Sequence, residues 1–130
     1  MNLEKIIKEI DLLSNISPII IKSSLTPLVK NNNTVVIDSN INSKELGVVN
    51  GEKGKAFPKW FENLTLKKCK YLLIDKVDLI DLEEQEKFYE ILKYRTITGI
   101  SIPRETKILL TIEKIENISK NILSLCQVYL

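Results

Sequence analysis

The chain has 130 residues, of which 44% are hydrophobic and 28% are charged, and its formal net charge is +2. These values are typical of one globular domain with a single core, and the small charge excludes strong attraction to nucleic acid or membranes. The chain contains no histidine, which excludes Ser-His-Asp catalysis, Cys-His catalysis and metal sites with histidine ligands.

The sequence shows no sign of a membrane protein or a secreted protein. No stretch approaches the roughly 18 apolar residues of a membrane span, and the first residues lack the basic start and apolar core of a signal peptide. Cys69 and Cys126 lie far apart and match no metal-binding spacing. Free thiols are therefore predicted, in a cytoplasmic protein with no membrane partner.

The first half of the chain alternates between helical and extended patterns. Apolar residues recur on one helical face over residues 2–14. Short apolar runs predict strands at Ile19–Ile21 and at Thr34–Ile37. Residues 39–57 are polar and contain glycines, so a long surface loop is predicted there. Pro58 is well placed to begin the helix that follows.

The stretch Tyr71–Asp75 is the centre of the predicted fold. Four apolar residues run without alternation and end in a carboxylate, which is typical of a strand buried on both faces of a parallel sheet. Its terminal acid would lie at the sheet edge where α/β proteins bind ligands. Asp81 and Glu84 match a capping box, which predicts an amphipathic helix from Asp81 to Arg95.

The rest of the chain continues the alternation. Thr96–Pro103 is predicted as a loop or hairpin around Gly99, and Lys107–Ile112 as another buried strand. A short helix over Ser119–Leu125 and a last strand over Gln127–Leu130 follow. Strands that alternate with helices predict an α/β domain of three layers, with helices on both sides of a mostly parallel sheet of about five strands.

Three segments resemble the AAA+ division of the P-loop ATPases. Tyr71–Asp75 is similar to the Walker B strand, Lys107–Glu113 to the sensor-1 strand, and Ile122–Tyr129 to the "S-R-C-Q" segment of clamp-loader subunits. The resemblance is patchy before residue 45 and more even from there on. It implies one AAA+-like core domain over residues 1–130, without the helical lid that follows the core in this family.

The resemblance also implies a P-loop NTPase-like strand order. The strand of Ile19 would lie between those of Lys107 and Gln127. The strand of Tyr71 would be the other neighbour of the Lys107 strand, and the strand of Thr34 would form an edge.

The phosphate loop of the family has no clear counterpart. Its pattern, G-x-x-x-x-G-K-[ST], supplies backbone N–H groups, a lysine and a hydroxyl to the phosphates and magnesium. Gly51–Ala56 is the nearest match, but it is too short, ends in alanine and lies too close to Asp75. The expected place follows Ile19–Ile21, where Lys22 and Ser23 stand without a glycine nearby. Lys22, Ser23 and Asp75 are therefore candidate remnants of a nucleotide site, and an ordinary strand end is the alternative.

Other parts of the ATPase machinery are altered. Asp75 keeps the place of the Walker B magnesium ligand, but Lys76 replaces the glutamate that polarises water. Glu113 takes the sensor-1 position, and Leu125 replaces the arginine that acts in a neighbour's site. The resemblance therefore implies no catalytic residue and no bound cofactor or metal. It favours a non-catalytic assembly or interaction subunit of the clamp-loader delta-prime type, with an AAA+ ATPase or a replication complex as partner.

Two other functions stay open. One is a nucleotide-binding AAA+ ATPase with an unorthodox phosphate loop, which would use ATP and Mg²⁺. The other is a nucleic-acid-binding module that uses the face Lys53–Lys70, where lysines surround Phe57, Trp60 and Phe61. Lysines and aromatic rings together can bind a single strand by backbone contact and stacking. The simpler alternative for this face is a helix with an apolar inner side and solvated lysines.

Overall fold

A computed structural model describes residues 3–13, 15–30, 33–47, 49–51 and 54–129 of the chain. The helices in this part are α1 (Leu3–Leu12), α2 (Thr26–Lys30), α3 (Ser43–Leu46), α4 (Lys59–Leu66), α5 (Leu82–Gln85), α6 (Tyr89–Tyr94) and α7 (Lys120–Leu123). The strands are β1 (Ile19–Lys22), β2 (Thr34–Asp38), β3 (Val49–Gly51), β4 (Gly54–Ala56), β5 (Tyr71–Asp75), β6 (Thr96–Ile97), β7 (Ile100–Ser101), β8 (Lys107–Ile112) and β9 (Gln127–Tyr129).

The central sheet has five strands in the order β2-β5-β8-β1-β9, and every neighbouring pair is parallel. The predicted α/β class and the mostly parallel sheet of about five strands are confirmed. Because the strands are parallel, the carboxyl ends of β1, β5 and β8 meet at one edge of the sheet. Asp38 and Asp75, which end β2 and β5, are register partners at this edge.

Apolar side chains cover both faces of the sheet, as the unbroken apolar runs of β1, β5 and β8 require. On one face, Ile10 of α1 and Val29 of α2 belong to the cluster that covers β1 and β5. On the other face, a larger cluster includes Phe61 of α4, Phe88 and Ile122 of α7. Helices therefore lie on both sides of the sheet.

The prediction of one continuous helix from Asp81 to Arg95 is wrong. A 3-10 turn at Glu86–Phe88 separates α5 from α6. The predicted capping box is also wrong, because Asp81 occupies the N-cap position of α5 without a hydrogen bond from its side chain. The carboxylate of Glu84 instead lies 3.6 Å from the ammonium of Lys87.

A buried amide lies at the break between α5 and α6. The side chain of Gln85 is fully buried. Its Nε2 donates to the carbonyl oxygens of Ile80 (3.2 Å) and Asn117 (2.8 Å), and its Oε1 accepts from the N–H of Ser119 (2.7 Å). These contacts join α5 to the segment before α7, so a tertiary contact fixes the geometry at this point rather than the helical apolar pattern.

The prediction that residues 39–57 form only a loop is also wrong. This stretch contains α3 and the antiparallel hairpin of β3 and β4. The side chain of Asn42 caps α3 by accepting from the N–H of Lys44 at 2.9 Å. Leu46 is buried in the larger core cluster. The cap of Asn42 and the burial of Leu46 stabilise this helix. It has too few residues to show a helical period in the sequence.

The predicted turn around Gly99 is a hairpin of β6 and β7. Thr98 and Gly99 have φ values of 48° and 80°, as in the tight turns that fit the twist of a hairpin. The carboxylate of Glu90 accepts from both turn N–H groups, at 3.2 and 3.0 Å, and from the hydroxyl of Thr96 at 2.7 Å. These bonds, led by that of Gly99, hold the pKa of Glu90 below its ordinary value.

We expect the stabilising effect of Glu90 to disappear in acid. A carboxylate whose pKa is lower in the folded state contributes stability above its unfolded pKa, and this contribution is lost as the pH falls through the folded value. Glu90→Gln should therefore be less stable than the wild type near pH 7, by less than about 1 kcal/mol because the site is exposed. Urea unfolding at a series of pH values should show the difference shrinking below about pH 4.5. A difference that stays constant with pH would contradict this assignment.

Candidate functional site

The carboxyl ends of β1, β5 and β8 border an open cleft with a volume of about 600 Å³. Its walls are Ser23, Thr26, Pro27, Lys30, Asp75, Lys76 and Glu113. The fold thus brings together Ser23, Asp75, Lys76 and Glu113, which the sequence singles out as site positions. Lys22 is exposed at the end of β1 and does not line the cleft.

The backbone after β1 passes directly into helical turns. β1 ends at Lys22, a 3-10 turn covers Ser23–Leu25, and α2 begins at Thr26. The N–H of Thr26 is already bonded to the carbonyl of Ser23. A phosphate loop needs successive N–H groups that converge on an anion. The segment from Lys22 to Thr26 has no such loop.

Two threonine hydroxyls contact the carboxylate of Asp75. Oγ1 of Thr111 donates to Oδ1 at 2.6 Å, and Oγ1 of Thr26 donates to the same oxygen at 3.4 Å. The Thr111 oxygen also accepts from the N–H of Lys76 at 2.8 Å. Thr111 is fully buried and Thr26 is 8% exposed. The end of β5 is therefore bonded to β8 and α2 through these hydroxyls.

Sequence reasoning missed both threonines. Thr26 lies in a stretch that Pro27 makes ambiguous, and Thr111 looks like one polar residue within an apolar strand. A polar residue in a strand that is otherwise buried needs a hydrogen-bond partner, and this was the signal available for Thr111. The identity of the partner depends on the sheet register, which places β8 beside both β1 and β5.

Lys76 has a left-handed backbone conformation, with φ 59° and ψ 48°, which is uncommon for a residue other than glycine. Its side chain is exposed and lines the cleft. The two ammonium groups of the lining, on Lys30 and Lys76, are matched by the carboxylates of Asp75 and Glu113. The described lining of the cleft therefore has no excess of positive charge with which to attract a nucleoside triphosphate.

The remaining altered positions are fixed by structural contacts. Oδ2 of the buried Asp78 accepts from the N–H groups of Glu113 (3.0 Å) and Lys114 (2.9 Å), which fixes the turn after β8. The side chain of Glu113 is exposed beside the cleft. Leu125 is half-buried and packs against the larger core cluster. Leu125 therefore has a packing role in this chain.

The glycine-containing stretch Gly51–Ala56 belongs to the hairpin of β3 and β4. Gly51 pairs with Gly54 across the hairpin, and residues 52 and 53 lie outside the described part of the chain. An antiparallel hairpin differs from the strand, loop and helix of a phosphate site. The hairpin is therefore a second reason, besides the short distance in sequence to Asp75, not to interpret this stretch as a phosphate loop.

The aromatic residues near α4 pack on one another. Phe61 is buried, the ring of Phe57 stacks on it at a centroid distance of 5.5 Å, and the ring of Trp60 meets it edge-on at 5.7 Å. Nε1 of Trp60 donates to the carbonyl of Glu45 at 3.1 Å. Lys53 lies outside the described residues. Phe61 and Trp60 thus pack on the core side of α4, and Phe57, which is 39% exposed, stacks on Phe61, so the three rings are not a row of free stacking surfaces.

Within the described ranges, Cys69 and Cys126 are free thiols, as predicted. No group of three or more acidic or cysteine side chains in those ranges could hold a metal ion. None of the helices described there combines the length and the apolar character that a membrane crossing needs.

No model of a known protein family matches this chain, and no curated protein matches it in sequence.

Proposed function

We propose that this chain is a non-catalytic α/β module of the AAA+ type that acts by binding a protein partner. The observation that carries the proposal is the path of residues Lys22–Thr26, where β1 leads directly into helical turns. No glycine-containing loop lies between the strand and the helical turns to wrap around phosphates, and the N–H of Thr26 is bonded to the carbonyl of Ser23. Lys76 at the end of β5 adds a group that cannot accept a proton from water, so hydrolysis would lack its base.

The arrangement of the sheet supports the AAA+ part of the proposal. The order β2-β5-β8-β1-β9 is the one that the family resemblance implies. In this proposal the chain corresponds to a delta-prime-type clamp-loader subunit, and its partner is an AAA+ ATPase or another protein of a replication complex. Leu125, packed against the core, would supply no charge to a neighbouring ATP site.

A nucleotide-binding ATPase is the second candidate. The observation that favours it is the cleft of about 600 Å³ beside Asp75, at the sheet edge where α/β proteins bind ligands. ATP and Mg²⁺ would have to be held there without a glycine loop. Asp75 already accepts a hydrogen bond from the buried Thr111, and the charges of the cleft are balanced, so the first proposal is preferred.

We expect neither the wild-type protein nor Lys76→Glu to hydrolyse ATP above a blank without protein. Lys76→Glu would restore the base, but a base has nothing to act on where the phosphates are not bound. Calorimetry should show no Mg²⁺-dependent ATP binding tighter than about 1 mM, a bound near −4 kcal/mol. Lys114→Glu, which makes the same charge change outside the cleft lining, is the matched control. Micromolar binding of ATP by the wild type would overturn the proposed function.

A further inference from the structure

We propose that the outer edge of β2 binds an extended acidic segment of a partner protein, which pairs with β2 as an additional strand. This inference rests on the proposed function, because it names the binding surface and the class of partner. The groove beside β2 that would hold the segment is called the β2 groove below.

β2 is an edge strand of the central sheet. It pairs with β5 on one side, and no strand in the described part of the chain pairs with its other side. An edge strand directs backbone N–H and C=O groups outward, and proteins usually protect such edges with proline, lysine or a bulge. Thr34–Asp38 contains neither proline nor lysine, and its register with β5 is continuous. Val36, at the centre of β2, is 39% exposed.

The β2 groove has a volume of about 480 Å³. Lys59, Asn63 and Lys67 lie four residues apart along one side of α4 and line it. Lys30, at the end of α2, contributes from the other layer. From Lys59 to Lys67 the helix rises about 12 Å. This length corresponds to about four residues of an extended strand.

The charge of the β2 groove favours an acidic partner. Lys30, Lys59 and Lys67 are exposed and line the β2 groove, and none of the described residues that line it is acidic. No ion pair joins these lysines to a carboxylate of the described residues. Strand residues four apart point to the same side about 13 Å from each other. Two acidic residues at that spacing match Lys59 and Lys67, and an apolar residue between them would face the half-buried Trp60.

The same residues fit a peptide better than a single-stranded nucleic acid. Among the described residues, Trp60 is the one aromatic residue that lines the β2 groove. Its ring is fixed by the bond to Glu45 and by the edge-on contact with Phe61. Binding of successive bases needs several free stacking surfaces. An open strand edge instead offers alternating donors and acceptors that match a peptide backbone.

The binding test uses a fluorescein-labelled heptapeptide, Thr-Glu-Thr-Val-Thr-Glu-Thr, and measures its anisotropy with the intact chain. We expect saturable binding that weakens with added salt, and a Kd raised about tenfold or more in Lys59→Glu/Lys67→Glu. Lys114→Glu/Lys120→Glu carries the same change of charge at exposed sites outside the β2 groove, and it should bind as the wild type does. Circular dichroism verifies that each variant is folded.

Amide hydrogen exchange of the wild type separates strand pairing from charge attraction alone. Saturating peptide should slow the exchange of amides within Thr34–Asp38, and the peptide with both glutamates replaced by lysine should not. Absence of binding, equal weakening by both double variants, or unchanged exchange in β2 would overturn the inference. Binding of an oligothymidine in place of the peptide would do the same. Micromolar ATP binding would overturn only the proposed function, so the two failures are distinguishable.

Discussion

Arg95→Ala is expected to lower the free energy of unfolding by about 3–4 kcal/mol, because the guanidinium bridges three separate carbonyl groups. Nη1 donates to the carbonyl of Asn15 at 2.8 Å. Nη2 donates to the carbonyls of Pro103 (2.8 Å) and Thr106 (2.6 Å). Removal of the side chain would leave these oxygens without a charged donor in a partly buried site.

A second cation, Lys107, extends these contacts into a connected polar network at this end of the sheet. Lys107 is buried, and its ammonium donates to the carbonyl of Leu13 and to the side chain of Asn15. Burial lowers the pKa of Lys107, and the charge of Asp11 opposes this effect. Arg95 and Lys107 thus join the end of α1 to the beginning of β8. Because they share Asn15, the losses in Arg95→Ala and Lys107→Met should not be additive.

The Arg95 prediction is tested by urea unfolding of three variants. Arg95→Lys keeps the charge but loses the planar fork, so most of the loss should persist. Arg104→Ala, at an exposed site, should change stability by less than about 0.5 kcal/mol. Arg95 has a φ of 54°, which is as uncommon for alanine as for arginine, so strain of the backbone should largely cancel in the comparison. A loss below about 1 kcal/mol in Arg95→Ala would contradict the role of the network.

The strands were predictable because their signal is local. The apolar runs of β1, β5 and β8 are the direct consequence of burial on both faces, and a carboxylate at the end of Tyr71–Asp75 marks the carboxyl edge of the sheet. The helical break at Glu86–Phe88 was not predictable in this way. It coincides with Gln85 contacts to residues more than thirty positions away, and no local pattern encodes those partners.

The polar contacts and the β2 groove are even harder to predict from the sequence than the helical break, because they depend on the order of the strands. The contact of Thr26 with Asp75 joins positions 49 residues apart, and that of Arg95 with Asn15 joins positions 80 residues apart. Each residue in these two contacts is polar and belongs to no pattern in the sequence that would identify its partner. The β2 groove likewise exists only because β2 is an edge and α4 lies beside it. Lys59 and Lys67 are exposed, as the simpler interpretation of this face expected, but their alignment with an open strand needed the fold.

Thr111→Val should lower the free energy of unfolding by about 2 kcal/mol. The two side chains have the same shape, so the hydroxyl is the principal loss. That hydroxyl donates to Asp75 at 2.6 Å and accepts from the N–H of Lys76 at 2.8 Å, and Thr111 is fully buried. Both partners would lose a short hydrogen bond within the structure. Thermal or urea unfolding of the purified variant measures the loss.

Thr26→Val is the matched control, because it makes the same chemical change on the same carboxylate through a 3.4 Å contact. At this distance the bond is weak, so a loss below about 1 kcal/mol is expected. The pair of variants also tests the proposed function. Groups retained for a ligand commonly reduce stability, and their removal is neutral or stabilising. The opposite result would be a Thr111→Val variant that is as stable as the wild type or more stable. In that case Asp75 and its partners would be explained better by a ligand site than by structural bonding. That result would support the nucleotide-binding ATPase over the proposed function. A loss of the expected size would instead assign the hydroxyl and carboxylate to the stability of the sheet edge.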